Sequence, residues 1–235
     1  MEDRLLEIND LNAWYDPDKK VLKGFSLDLG ANEVVGLIGL NGAGKTTFLK
    51  VLTGLLKGYE VSEKTFKGKT IDFRNNAFKK NRYIVFAEDS SFQYFTFKEY
   101  LAYVSAAYRK QLQNVDELIE GFHFEEYKDT LLKDLSTGNQ KKAFLIAGFA
   151  LRPDLLLLDE PVNGLDFQST EYLYNLIAGY KKYGTLLFSS HILESITLTS
   201  DRVLVLEDGH IAKSFQGNEI QAEAIREALR YEDDI

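Results

Sequence analysis

Gly39-Leu40-Asn41-Gly42-Ala43-Gly44-Lys45-Thr46-Thr47 is the stretch on which the reading of this 235-residue chain turns. It fits G-x-x-x-x-G-K-[ST], the phosphate-binding P-loop. The pattern carries weight between a strand and a helix, and both signals are present. Glu33-Val34-Val35-Gly36-Leu37-Ile38 ahead of it is short and mostly apolar, the mark of a buried strand. From Thr46 to Thr53, the residues Phe48, Leu49, Val51 and Leu52 fall at helical spacing. The glycines let the backbone turn until several N–H groups point at one anion, and the new helix adds its positive end. Lys45 brings a mobile charge to the outer phosphates, and Thr46 a hydroxyl for Mg²⁺.

Composition narrows the setting. Hydrophobic residues make up 45% of the chain, enough for a large core. No run of eighteen apolar residues occurs, so no membrane-spanning helix is predicted. The charged opening Met1-Glu2-Asp3-Arg4 does not read as an export signal, which points to the cytoplasm. With no cysteine, disulfides, thiol chemistry and cysteine-ligated metals are excluded. A net charge of −8 without a long basic run argues against nucleic acid as a partner. His123, His191 and His210 are far apart and show no metal-ligand spacing.

Outward from the P-loop, Leu5–Tyr15 and Val21–Leu29 read as two strands joined by the turn Asp16-Pro17-Asp18-Lys19, an antiparallel flap. Trp14 and Tyr15 end the first strand; position alone leaves adenine stacking and an edge aromatic equally open. Leu55–Tyr83 is hydrophilic and lysine-rich, with short strands and one short helix expected. Ile84-Val85-Phe86-Ala87 reads as a buried strand ending at Glu88-Asp89. Next come the aromatic run Phe92–Phe97 and a capping box, Thr96 with Glu99. Leu101, Val104, Ala107 and Tyr108 mark a helix, and Val115–Lys133 is expected to continue helical, interrupted near Gly121. Residues 92–151 thus read as an all-helical insertion in an α/β chain. Leu155-Leu156-Leu157-Leu158 fits a strand covered on both faces, as in a parallel sheet, with Asp159 and Glu160 at its C-terminal end, where ligands of such sheets bind. Thr185–Ser190 is another such strand, ending at His191. Asp208-Gly209 marks a tight hairpin, Ile220–Leu229 an amphipathic helix, and Tyr231–Ile235 an acidic, frayed end.

These motifs, in this order, resemble those of the ATP-binding-cassette (ABC) ATPases over essentially the whole chain. Gly39–Thr47 resembles Walker A, and Leu155–Glu160 resembles Walker B with its following glutamate. Leu135-Ser136-Thr137-Gly138-Asn139-Gln140 resembles the signature loop, Asn163-Gly164-Leu165-Asp166 the D-loop, and His191 the switch histidine. Tyr15 sits at the position of the family's adenine-stacking aromatic. The chain departs from the family where a signature Leu-Ser-Gly-Gly-Gln becomes Leu135-Ser136-Thr137-Gly138-Asn139, where the Q-loop glutamine becomes Glu88, and where the D-loop serine becomes Asn163. Such variants resemble single-cassette subunits of bacterial exporters for antibiotics, peptides or lipids.

The resemblance implies a single cassette: a P-loop NTPase with a mostly parallel sheet and an antiparallel flap (about 1–91 and 152–235) and an inserted helical subdomain (about 92–151). It implies the reaction ATP + H₂O → ADP + phosphate. Gly39, Leu40, Asn41, Gly42, Ala43, Gly44, Lys45, Thr46 and Thr47 would hold the nucleotide with Tyr15. Thr46, Asp159 and Glu88 would serve Mg²⁺; Glu160 would act as base, with His191 and Lys45 on the γ-phosphate. Ser136, Thr137, Gly138 and Asn139 would act on the nucleotide of a second cassette subunit, and a transmembrane permease would dock near Phe92–Tyr100, on the cytoplasmic face of the membrane. A non-transport cassette ATPase is the alternative. A GTPase would need Asn-Lys-x-Asp, and no such run occurs.

Overall fold

The computed structural model describes residues 4–229, so the acidic end expected at Tyr231–Ile235 lies outside the described residues. β1 (Arg4–Asp16) and β2 (Lys19–Gly30) form an antiparallel pair. β3 (Val34–Ile38) runs into the P-loop and α1 (Lys45–Leu52). β4 (Tyr59–Phe66), β5 (Lys69–Thr70), α2 (Asn76–Lys79) and β6 (Arg82–Val85) follow. Then come α3 (Phe97–Tyr108), α4 (Val115–Gly121) and α5 (Thr137–Leu151). β7 (Leu155–Asp159), α6 (Phe167–Gly179), β8 (Thr185–Ser190) and α7 (Leu193–Thr199) return to the α/β pattern, and β9 (Arg202–Glu207), β10 (His210–Gln216) and α8 (Ala222–Leu229) close the chain.

Two sheets result. One has the order β10-β9-β3-β8-β7-β6, parallel except for β10; the other, wholly antiparallel, has the order β2-β1-β4-β5. The flap is therefore wider than the two strands expected. Of its two added strands, β4 reads Tyr-Glu-Val-Ser-Glu-Lys-Thr-Phe and is mostly exposed or half-buried, so its apolar signal is weak, and β5 is only two residues long.

Period-two alternation explains why β7 can be four leucines in a row. Leu156 and Leu158 join a core with α3 to α8, while Leu155 and Leu157 join a second core with α1 and the antiparallel sheet. β3 and β8 divide in the same way: Val34 and Ile38 face the first core, Val35 and Leu37 the second. Both faces of the strands are sealed from water, and the strand ends remain as places for polar chemistry.

The segment between β6 and β7 carries three helices, with the expected capping box at Thr96 and Glu99. It is not helical throughout, and the expected helix over Val115–Lys133 is corrected to α4 alone. A Cβ at Gly121 would overlap the ring of Tyr172 in α6, and the backbone turns left-handed at His123 (φ 52°). Beyond that point only single 3₁₀ turns at Glu125–Tyr127 and Leu132–Asp134 remain, anchored by buried Phe122, Phe124 and Leu132. Thr96 and Leu131 form an isolated antiparallel bridge there.

Candidate active site

The P-loop, Asp159, His191 and the segment leading to Glu88 all follow the C-terminal ends of parallel strands, β3, β7, β8 and β6, and so share one sheet edge. Two glycines of the loop show why a side chain is excluded. A Cβ at Gly39 would overlap the carbonyl oxygen of Leu206 in β9, and Gly44, at φ 112°, begins α1 in a conformation that suits glycine. The N–H of Ala43 donates to the carbonyl of Leu40 at 3.2 Å, closing the turn. Leu40, Asn41 and Gly42 lie exposed on the loop's crest, and Thr47 is buried beneath it. Lys45 is buried, donating to the carbonyls of Gly39 (2.6 Å) and Leu40 (3.3 Å), and its ammonium stands 3.7 Å from Glu160.

Thr46 Oγ1 donates to both oxygens of Asp159, at 3.0 and 3.2 Å. Ser189 Oγ donates to Asp159 Oδ1 at 2.6 Å and accepts from the N–H of Glu160 at 3.0 Å. One hydroxyl thus aligns both acids. Glu160 has a left-handed backbone (φ 45°), unusual for a residue with a side chain, and one often found at sites of chemistry. Its Oε2 lies 2.8 Å from Nδ1 of His191 and also accepts the His191 N–H at 3.3 Å.

Thr46 and Asp159 present hard oxygen atoms beside a phosphate loop. That donor set suits Mg²⁺, which keeps waters and shares substrate phosphates, rather than a metal caged by protein. Consistently, the described residues contain no group of three or more His, Cys, Asp or Glu placed to hold a metal.

The remaining expected residues fall into two groups. Glu88 lines a cleft of about 430 Å³ with Thr137, Gln140, Lys141 and Phe144. Among the described residues, it makes no ion pair with those around Asp159. Ser136 caps α5, its Oγ accepting from the N–H of Asn139 at 3.2 Å. Thr137 is exposed and Asn139 half-buried. Gly138 abuts the D-loop: a Cβ there would overlap the carbonyl oxygen of Gly164. Asp166 caps α6 and pairs with Lys142 at 2.6 Å. Burial works to raise the Asp166 pKa, but the bonds from Lys142 and Ser169 outweigh it and hold the carboxyl below the usual range.

Tyr15 and Trp14 divide cleanly. Trp14 is packed on Gly58, where a Cβ would stand 2.5 Å from the Trp14 carbonyl oxygen. Tyr15 is 59% exposed, with the ammonium of Lys50 in α1 5.6 Å from its ring centroid. A free aromatic face beside the helix of the P-loop is what adenine stacking requires. Tyr15→Ala is expected to weaken ATP and ADP alike by ~1–3 kcal/mol. Titration of both nucleotides checks this, and unchanged affinities would move the contact elsewhere.

Ser189, Lys141 and Lys142 are the residues that sequence reasoning passed over. None of them carries a local signal: their roles appear only with the neighbours that the fold brings to them.

The ABC transporter family profile matches residues 22–163. A putative ABC transporter ATP-binding protein, AlbC of Bacillus subtilis (strain 168), is 35% identical over 220 residues, covering 89% of this chain and 90% of the relative. The energy-coupling factor transporter ATP-binding protein EcfA3 of Clostridium perfringens is 30% identical, covering 98% and 83%. A solved ATP-binding subunit of an ABC transporter superposes with a TM-score of 0.82 at 26% identity, covering 96% of this chain and 94% of that one. Sequence, fold and the order of the motifs agree: the chain belongs to the ABC transporter family, as an ATP-binding subunit of the kind that hydrolyses ATP coupled to transport.

Proposed function

We propose that the chain is the motor of a membrane exporter for an antibiotic, peptide or lipid, held on the cytoplasmic face by its permease. The observation that carries this reading is the gathering of Lys45, Thr46, Asp159, Glu160 and His191 at one sheet edge, with polar contacts among them of 2.8 to 3.7 Å. The P-loop amides and Lys45 hold the phosphates of ATP. Thr46 and Asp159 would hold Mg²⁺, with Glu88 approaching it from the cleft, and the ion when bound neutralises phosphate charge. Glu160 takes a proton from water as its oxygen bonds to the γ-phosphorus; the bond to the ADP oxygen breaks, giving ADP and phosphate. His191 fixes the Glu160 carboxylate and faces the γ-phosphate. Positioning and charge are most of what this reaction needs.

Export, rather than import, is supported by the variant loop Ser136-Thr137-Gly138-Asn139, which resembles those of single-cassette exporters. That loop acts on the nucleotide of a second cassette subunit. The permease docks at the aromatic run after Glu88. There Phe97 is buried but Phe92 and Phe95 are only half so, and Tyr94 is 76% exposed. The Phe92 ring lies tilted against that of exposed Tyr103, their centroids 4.9 Å apart. Aromatic rings at a surface are suited to receiving a partner's helix. Purification of the tagged chain from its own cells in mild detergent is expected to bring down a permease with several membrane spans, and Tyr94→Asp to lose it. Reconstituted with that permease, the pair should move cargo away from the ATP side. Movement toward that side would refute export, and recovery of the chain alone would refute the docking surface.

A further inference from the structure

α5 carries two neighbouring lysines into the interior, and they are matched differently. Lys142 pairs with Asp166. Lys141, 4% exposed, instead donates at 3.0 Å to the main-chain carbonyl of Glu160, and it has no ion pair among the described residues. Burying an ammonium without a paired carboxylate is costly, and an apolar side chain would stabilise the fold better. Burial pushes the Lys141 pKa down, while the charges of Asp159, Glu160 and Glu88 oppose that shift from nearby. The group therefore sits amid three carboxylates yet holds a peptide oxygen.

That oxygen belongs to the residue whose backbone is left-handed at φ 45°. Ser189 grips the N–H of Glu160 and Lys141 grips its carbonyl, so the peptide groups on both sides of the Glu160 Cα are fixed. Ser189 reaches it from β8, within the sheet. Lys141 reaches it from the second turn of α5, which begins at the Ser136 cap and lines the cleft holding Glu88.

We propose that Lys141 is a positioning residue for ATP hydrolysis: through the main chain it holds the Glu160 carboxylate in place, and it makes that placement depend on the position of α5. This rests on the reading of Glu160 as the base. A shift of α5 relative to the sheet lengthens the bond and releases Glu160, whereas the P-loop, which Lys141 does not touch, keeps its grip on nucleotide.

The test is the turnover, nucleotide affinity and thermal unfolding of the full chain carrying Lys141→Met. Removal of a buried charge should raise the unfolding midpoint, while misplacing Glu160 should lower kcat about 10- to 100-fold. KM and ATP affinity should stay within about twofold, because uniform binding is untouched. Lys141→Gln, which still carries a donor, should regain part of kcat. In a Glu160→Gln background, Lys141→Met should cost less than about threefold more, since the positioned group is already gone. Unchanged kcat in Lys141→Met overturns the proposal, as does its full penalty in the Glu160→Gln background. A lowered midpoint with kcat and affinity falling together makes Lys141 structural and also overturns it. Wild-type turnover in Glu160→Gln would overturn the base reading and this proposal with it, whereas normal turnover in Lys141→Met removes this proposal alone.

Discussion

Glu160→Gln is expected to bind ATP, hydrolyse it about 10²–10⁴-fold more slowly, and accumulate as a dimer. The amide keeps the shape that the His191 ring and amide hold, at 2.8 and 3.3 Å, but cannot take a proton from water. Its loss also removes the carboxylate 3.7 Å from Lys45, so ATP binding should not weaken through lost positive charge. The dimer follows from the position of the signature loop. Ser136 and Gly138 open α5 well away from the P-loop in sequence, and on the function proposed above they act on the nucleotide of a second subunit. Subunits with a net charge of −8 repel one another, and ATP with Mg²⁺ supplies the bridge. Light scattering on the variant with ATP, with ADP and without nucleotide checks this. A monomer in all three would count against the sandwich for the isolated subunit, and wild-type turnover would remove Glu160 as base.

Lys45→Ala should lower turnover by about 10²–10³ and weaken ATP roughly 10- to 100-fold, the effect of one charge-assisted contact to phosphate in a dry site. The structure adds a second source of loss. Lys45 is the donor to the carbonyls of Gly39 and Leu40, so its removal also frees the loop that must hold its shape. On the proposed function the charge is directed to the outer phosphates, so ATP should suffer more than ADP, and ADP more than AMP. Tyr15→Ala should instead weaken ATP and ADP equally. Isothermal titration of the three nucleotides separates the two, and an equal loss for AMP in Lys45→Ala would place the lysine away from the outer phosphates.

The sequence made the strand ends legible because their signals are local. Four leucines before Asp159-Glu160, or glycines before Lys45, announce an apolar strand meeting a polar turn. What stayed hidden depends on distant neighbours. Ser189 looks like an ordinary strand-end serine until Asp159 and Glu160 stand on the next strand. Lys141 and Lys142 look like solvated charges near the start of a helix, since nothing local says that α5 is buried almost all round. A short strand is expected within Leu55–Tyr83, but not that β4 joins the flap, for the same reason: it is held by its ladder to β1 more than by burial of its own side chains. The demand for a glycine at the end of α4 is likewise set by Tyr172, some fifty residues on.

No methyl group fits between Gly138 and the carbonyl of Gly164. With Lys142 bound to Asp166 just behind that contact, the start of α5 and the turn ahead of α6 are clamped together as one rigid lever. In the two-site assembly proposed above, one arm of the lever would face the opposite nucleotide, and the other leads back to this chain's own Glu160 through Lys141 of the same helix. On that reading, filling one site would be felt at the other, so the two ATPs would be counted together and the motor would advance in paired steps rather than as two independent engines.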